Sequence, residues 1–195
     1  MFARLLAAFC CITALAFSGS LDTGSQTVVV FLNTPAAPGV MAAMEREVAS
    51  QMATAGYRTE WRASGTIQYG TAVVAKLHGF CSASGITSGL ASVAGQELAG
   101  TRIIEDRISP FVTLDCDRVN ALLSNMPSPL SDQTYGRALG RLFAHELYHF
   151  LAQTTDHSKT GIAQAAISAS ELLADGVRFD RQAVDRLRPS FEHGF

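Results

Sequence analysis

Residues 133–153 read QTYGRALGRLFAHELYHFLAQ. Apolar side chains recur mostly three or four positions apart in this stretch, which is the period of an amphipathic α-helix. The apolar face includes Tyr135, Leu139, Leu142 and Phe143. Ser131 and Asp132 lie just before the stretch and can cap a helix. We therefore predict a long helix here, against which the rest of the chain must pack.

Upstream of this helix, the sequence has the patterns of several strands and of another helix. Runs rich in β-branched and aromatic residues predict strands at residues 27–32, 57–62 and 72–77, with one or two more around Ile103-Ile104 and residues 111–114. Apolar residues at helical spacing predict a core-facing helix over residues 38–55. The segment 85–100 is rich in Gly, Ser and Ala, so it is either a loop or a loosely paired hairpin.

The order of these elements indicates the fold class. Asp115 or Asp117 is positioned to cap a helix that begins near Arg118, and a last helix is expected to start between Ile162 and Ser168. Strands followed by helices in this order predict an α+β fold. We expect a single domain in which one twisted mixed sheet carries the helices, including the long one, mainly on one face.

Composition excludes some classes of function. The chain has 195 residues, of which 48% are hydrophobic and 16% are charged, so it can bury a core and is not expected to be disordered. A formal net charge of −2 leaves no basic excess to bind a phosphate backbone. We therefore expect no nucleic-acid partner.

The N-terminus has the pattern of a secretory signal peptide over residues 1–20. Arg4 precedes an apolar stretch over residues 5–17, and small residues follow. A membrane anchor is the alternative, but the stretch is shorter than the ~20 residues that a spanning helix needs. We expect a mature domain over residues 21–195 that is secreted or periplasmic and has no stable membrane anchor. Its oligomeric state does not follow from the sequence.

Cys10 and Cys11 would leave with the signal peptide, so the mature chain would keep Cys81 and Cys116. In an oxidising compartment two such cysteines are expected to form a disulfide. Two separate buried thiols are the alternative.

The long predicted helix contains the sequence His145-Glu146-Leu147-Tyr148-His149. Two histidines four residues apart project from the same face of a helix, so both imidazoles can bind one Zn²⁺. Glu146 lies beside them, where its carboxylate can take a proton from a metal-bound water without occupying the metal itself. This arrangement indicates hydrolysis with Glu146 as general base.

A catalytic zinc site needs a third protein ligand, and the sequence offers two candidates. His157 follows the helix, where a turn can bring it back to the metal. Glu171 lies in the next predicted helix, although Ser168 and Glu171 also fit an ordinary capping box.

The His145–His149 motif and the preceding order of elements resemble those of the zincin superfamily of zinc metallopeptidases. The resemblance implies a zincin-like domain that hydrolyses peptide bonds in a peptide or protein substrate. In metzincins a third histidine follows the helix, which His157 would match. In gluzincins a following helix supplies a glutamate, with an aspartate one turn later, which Glu171 and Asp175 would match.

Other polar residues have less specific patterns. Tyr148 is either an oxyanion stabiliser or a packed side chain, and Asp156 is either a hydrogen-bond acceptor for a metal-bound histidine or a solvated group. His78 and His193 are interpreted as ordinary polar residues. An extended substrate is expected to pair with an exposed edge strand near residues 111–114.

Two other functions fit the sequence. The protein could bind zinc without catalysis, which would need a fourth protein ligand to close the site. It could also be a metal-free interaction domain in which the motif is accidental.

Overall fold

The β-branched run near the N-terminus forms the first strand of a five-stranded sheet. A computed structural model describes residues 25–63, 71–86, 97–126 and 129–188. The strands are β1 (Gln26–Leu32), β2 (Tyr57–Ala63), β3 (Thr71–His78), β4 (Ala99–Ile104) and β5 (Arg107–Asp115). The helices are α1 (Pro38–Ala53), α2 (Cys116–Leu123), α3 (Asp132–Ala152), α4 (Ala169–Leu173) and α5 (Arg181–Leu187).

The sheet is mixed, with the strand order β2-β1-β3-β5-β4. β1 is parallel to both β2 and β3, and β3 is parallel to β5. β4 is antiparallel to β5. The predicted fold class is confirmed, but the predicted edge strand at residues 111–114 is wrong. These residues belong to β5, which is paired on both sides, and the edge beside it is β4.

The helices pack mainly on one face of the sheet. Along β3, Val73, Ala75 and Leu77 are buried, whereas Val74 is half-buried and Lys76 is exposed. Burial of every second residue means that one face of the strand carries the core. Helices α1 and α3 pack against each other, α1 contacts β2, and α3 contacts β4 and β5.

The predicted helix ends agree with the structure to within a few residues. Asp115 caps α2, which therefore begins at Cys116, two residues before the expected start. Ser131 caps α3, as expected. The last predicted helix begins at Ala169, one residue beyond the expected window, and α5 had no counterpart in the prediction.

The predicted disulfide is confirmed. Cys81 and Cys116 are bonded, with their Cα atoms 5.0 Å apart. The bond joins the chain just after β3 to the first residue of α2, so it links one end of the sheet to a helix.

Some predictions fall outside the described residues. These are the signal peptide at residues 1–20, His193, and residues 87–96 of the Gly-rich segment. None of the helices that the structure describes is long and apolar enough to cross a membrane.

Candidate metal centre

Helix α3 presents the His145–His149 motif at its C-terminal end. The helix ends at Ala152, and its C-cap residue Gln153 has a left-handed backbone with φ 46°, so the chain turns back there. The Gln153 side chain accepts a hydrogen bond from Ile108 N and donates one to Ile108 O, both at 3.1 Å. These bonds attach the end of the helix to β5 and fix the height of the motif above the sheet.

The structure brings three histidines together. One ring nitrogen from each of His145, His149 and His157 lies within 4.8 Å of those of the other two. His145 and His149 come from adjacent turns of α3, as the sequence predicted. His157 comes from the loop after the helix, and it is the exposed member of the cluster.

Hydrogen bonds orient the two helical imidazoles. His145 Nδ1 lies 2.8 Å from Ile162 O, and His149 Nδ1 lies 2.7 Å from Thr154 O. A carbonyl oxygen can only accept, so each Nδ1 must carry the proton. In a neutral ring the lone pair is then on Nε2.

The two Nε2 atoms face each other at 3.0 Å. Two lone pairs at that distance repel, and neither atom has a proton to donate while both rings are neutral. Burial lowers the pKa of His145 to about 4 and also lowers the pKa of His149, so the rings are neutral at pH 7. A shared cation removes the repulsion, and three imidazoles are a donor set that suits zinc. The residues therefore fit a zinc ion.

Glu146 is buried beside the histidines, with 5% of its surface exposed. The pKa of its carboxyl is raised to about 7, mainly by burial and to a lesser extent by the nearby Glu97 carboxylate. Hydrogen bonds with the side chain and backbone of Thr101 act in the opposite direction because they stabilise the charged form. Thr101 lies on β4, so the edge strand orients the carboxylate of the motif.

The cluster opens into a cleft of about 580 Å³. Glu146 and the three histidines lie in it, and β4 contributes Thr101 and Ile103. Leu142 and Ile167 add apolar surface. A cleft of this size with a few convergent polar groups is typical of a ligand site.

Glu171 lies outside the histidine cluster. Its carboxylate accepts hydrogen bonds from Ser168 N at 2.8 Å and Ser168 Oγ at 2.6 Å. The first of these, with the bond from Glu171 N to Ser168 Oγ at 3.3 Å, forms the capping box of α4. The hydrogen bonds from Ser168 lower the pKa of Glu171. Asp175 forms an ion pair with Arg137 at 2.7 Å. Both acidic groups of the gluzincin-like alternative are thus engaged elsewhere.

Of the two interpretations of Asp156, the contacts support a solvated side chain and not an acceptor for His145 or His149. Its carboxylate pairs with Arg186 at 3.4 Å and is 70% exposed, while backbone carbonyls take the two Nδ1 protons. Tyr148 is fully buried, and its hydroxyl donates to Asp156 O at 3.1 Å. For Tyr148 the packing interpretation is therefore the one that the contacts support.

His78 lies in a second group of potential ligands with Asp115 and Asp117. Both aspartates are already engaged there. Asp115 caps α2 and pairs with Arg118, and Asp117 accepts a hydrogen bond from Phe80 N at 2.9 Å.

Several residues of the site were not identified from the sequence. Thr101 forms hydrogen bonds with Glu146, and the Glu97 carboxylate raises the pKa of Glu146 by charge repulsion. Ile162 and Thr154 accept hydrogen bonds from the imidazoles through their carbonyls. No local pattern marks them, because each contact joins segments that are distant in the chain or uses backbone atoms.

Comparisons with known proteins found similarity to solved structures but not to any family model or curated protein. Among solved structures, the chain is similar to archaemetzincin from Methanopyrus kandleri, with a TM-score of 0.48 and 11% sequence identity. The alignment covers 86% of this chain and 96% of that one.

Proposed function

We propose that this protein is an exported zinc-dependent peptidase. The observation that supports the proposal most strongly is the distance of 3.0 Å between His145 Nε2 and His149 Nε2. In each ring a backbone carbonyl holds the proton on Nδ1, which leaves a lone pair on Nε2. His157 completes a set of three imidazoles, and Glu146 is buried beside them. Export rests on the signal-peptide pattern at residues 1–20 and agrees with the Cys81–Cys116 disulfide.

In the proposed mechanism, His145, His149 and His157 hold zinc, and Glu146 acts as general base. When bound, zinc acidifies water and polarises a carbonyl group. Glu146 accepts a proton from the attacking water and later returns it to the leaving amine. The hydrogen bonds from Thr101 hold the carboxylate in place.

The extended substrate is proposed to pair with β4. Within the part of the chain that the structure describes, β4 is paired only with β5, and Thr101 and Ile103 lie along the cleft. An edge strand offers free backbone groups to an incoming peptide. N-methylation of the backbone amides of a peptide substrate, one at a time, should raise KM at alternate positions. Equal cleavage of all the methylated peptides would exclude edge pairing.

Zinc content and cleavage together test the proposed function. We expect about one zinc per mature chain. His157→Ala should bind zinc much more weakly and lose cleavage of an unstructured protein substrate. Glu171→Ala should keep both, because Glu171 caps α4 instead of facing the histidines. Glu146→Gln should keep zinc but lose at least ~100-fold in kcat. A mature protein without zinc, or a fully active Glu146→Gln variant, would refute the proposal.

A further inference from the structure

His157 is the one ligand candidate that lies on a loop. His145 and His149 are positioned by the helix and by carbonyl hydrogen bonds, whereas His157 is exposed and follows the turn at Gln153. A ligand on a loop must be ordered before it can bind, and that ordering opposes binding. The contacts on either side of His157 therefore matter for metal affinity.

The residue before His157 is attached to α3 and to α5. The buried hydroxyl of Tyr148 donates to Asp156 O at 3.1 Å. Arg186 of α5 donates to the same hydroxyl at 3.0 Å and pairs with the Asp156 carboxylate at 3.4 Å. Arg186 thus contacts both Tyr148, which binds the loop, and Asp156, the loop residue that Tyr148 binds.

The residue after His157 is attached to the start of the same helix. Ser158, which is buried, donates its hydroxyl to Asp180 Oδ1 at 3.0 Å. Thr160 donates to Asp180 Oδ2 at 3.3 Å. Asp180 also caps α5, because its side chain accepts a hydrogen bond from Ala183 N at 2.9 Å. Both neighbours of His157 are therefore bound to the segment 180–186.

We propose that the segment 180–186, called here the clamp, positions His157 for metal binding. Arg186 and Asp180 are its positioning residues, and Tyr148 connects the clamp to α3. The proposal rests on the proposed function, since His157 has to be a zinc ligand. It assigns α5 a role beyond the core packing of Ala183 and Leu187, which are both buried. Groups that orient metal ligands typically contribute 10- to 100-fold to metal affinity.

Two variants remove the attachments with little change in shape. Tyr148→Phe keeps the buried ring and deletes only the hydroxyl. Arg186→Gln removes the contacts with Tyr148 and Asp156 from a side chain that is one-third exposed. The matched control is Arg188→Gln, because Arg188 follows α5 directly and forms an exposed ion pair with Asp185 at 3.4 Å.

Zinc affinity, measured by competition with a chromophoric chelator, tests the clamp. We expect Tyr148→Phe and Arg186→Gln to bind zinc roughly 10-fold or more weakly, and Arg188→Gln to bind it like the unmodified protein. The melting temperature of each zinc-free variant, measured by circular dichroism, should stay within a few degrees of that of the unmodified protein. A preserved melting temperature shows that the fold has not been lost.

A double variant shows whether Arg186 acts through His157. If it does, adding Arg186→Gln to His157→Ala should not weaken the remaining zinc binding further. Unchanged affinity in both single variants, or an equal loss with and without His157, would overturn the clamp while leaving the proposed function intact. An unmodified protein that binds no zinc would overturn both.

Discussion

At the scale of single residues, burial controls the protonation of the site. Glu146 and His145 both lie away from water, and burial disfavours the charged form of each. The consequence is opposite for the two groups. His145 stays neutral and can donate a lone pair to a metal, whereas Glu146 keeps a proton until the pH approaches 7 unless a cation lies beside it.

Glu146→Gln should stabilise the zinc-free protein at alkaline pH. The pKa of Glu146 is raised from 4.5 to about 7, so between those values the folded chain binds more protons here than the unfolded chain. Stability from this group is thus fully present below pH 4.5 and falls as the pH rises through 7. The glutamine variant does not lose this stability. Its free energy of unfolding should exceed that of the unmodified protein by on the order of 3 kcal/mol at pH 8 and by near zero at pH 4.

Urea unfolding of both zinc-free proteins across this pH range measures the difference. Because His145 titrates in both proteins, its contribution cancels to first order. A difference that is the same at pH 4 and pH 8 would contradict the buried, proton-binding carboxyl.

At the scale of elements, α3 approaches α1 through glycines. A Cβ atom built on Gly140 would lie 2.7 Å from Glu47 Cβ and 2.8 Å from Met44 O. A Cβ atom on Gly136 would clash with Val40 O. The close approach lets Arg141 reach Glu47 at 3.0 Å, in an ion pair that is almost wholly buried.

Gly140→Ala should destabilise the protein by about 1 to 3 kcal/mol. Alanine stabilises a helix by about 1 kcal/mol relative to glycine, so helix propensity alone predicts that Gly140→Ala stabilises the protein. The clash with α1 should dominate, because its partners include backbone. Chemical denaturation measures the change in the free energy of unfolding. Gln133→Ala, at an exposed position in the first turn of α3, is the control. A more stable Gly140→Ala protein would show that the helices are not in close contact.

The disulfide bond is a second feature that connects elements of the fold. Cys81 and Cys116 are separated by 35 positions, so the bond closes a long loop. Reduction should lower the free energy of unfolding by roughly 3 to 4 kcal/mol on the chain-entropy model. Urea unfolding with and without dithiothreitol measures the change, and the Cys81→Ala/Cys116→Ala protein, which should not respond to the reductant, is the control. An unmodified protein that also fails to respond would mean that the bond does not stabilise the fold.

At the scale of the whole molecule, a bound metal would join elements that the chain keeps apart. His145 and His149 belong to α3, while the loop with His157 is held by α5. A ligand that binds only the folded state stabilises that state by mass action. Zinc is therefore expected to stabilise the domain as a unit.

Zinc at about 100 times its dissociation constant should raise the melting temperature by roughly 5 to 10 °C. Differential scanning calorimetry of the zinc-free protein, with and without added zinc, measures the shift. His157→Ala should show a much smaller shift at the same zinc concentration. Equal shifts in the two proteins would mean that His157 is not a ligand.

The sequence by itself determined what depends on neighbours in the chain. A β-branched run predicted β1, and apolar periodicity predicted α1 and α3. Residue type indicated Asp115 or Asp117 as the cap of α2 and Ser131-Asp132 as the cap of α3, of which Asp115 and Ser131 act as caps. The four-residue spacing of His145 and His149 placed two imidazoles on one helix face. Each of these follows from backbone geometry within a few turns or strand residues, so no knowledge of the fold was needed.

Only the tertiary structure decided which distant groups meet. The sequence left His157 and Glu171 as alternatives, because a loop of given length can place its residues in many positions. It also missed α5, which is too short to be stable alone and exists because Ala183 and Leu187 are buried. The choice of β4 as the edge strand, and so the contact of Thr101 with Glu146, depends on the order of strands, which local periodicity does not encode.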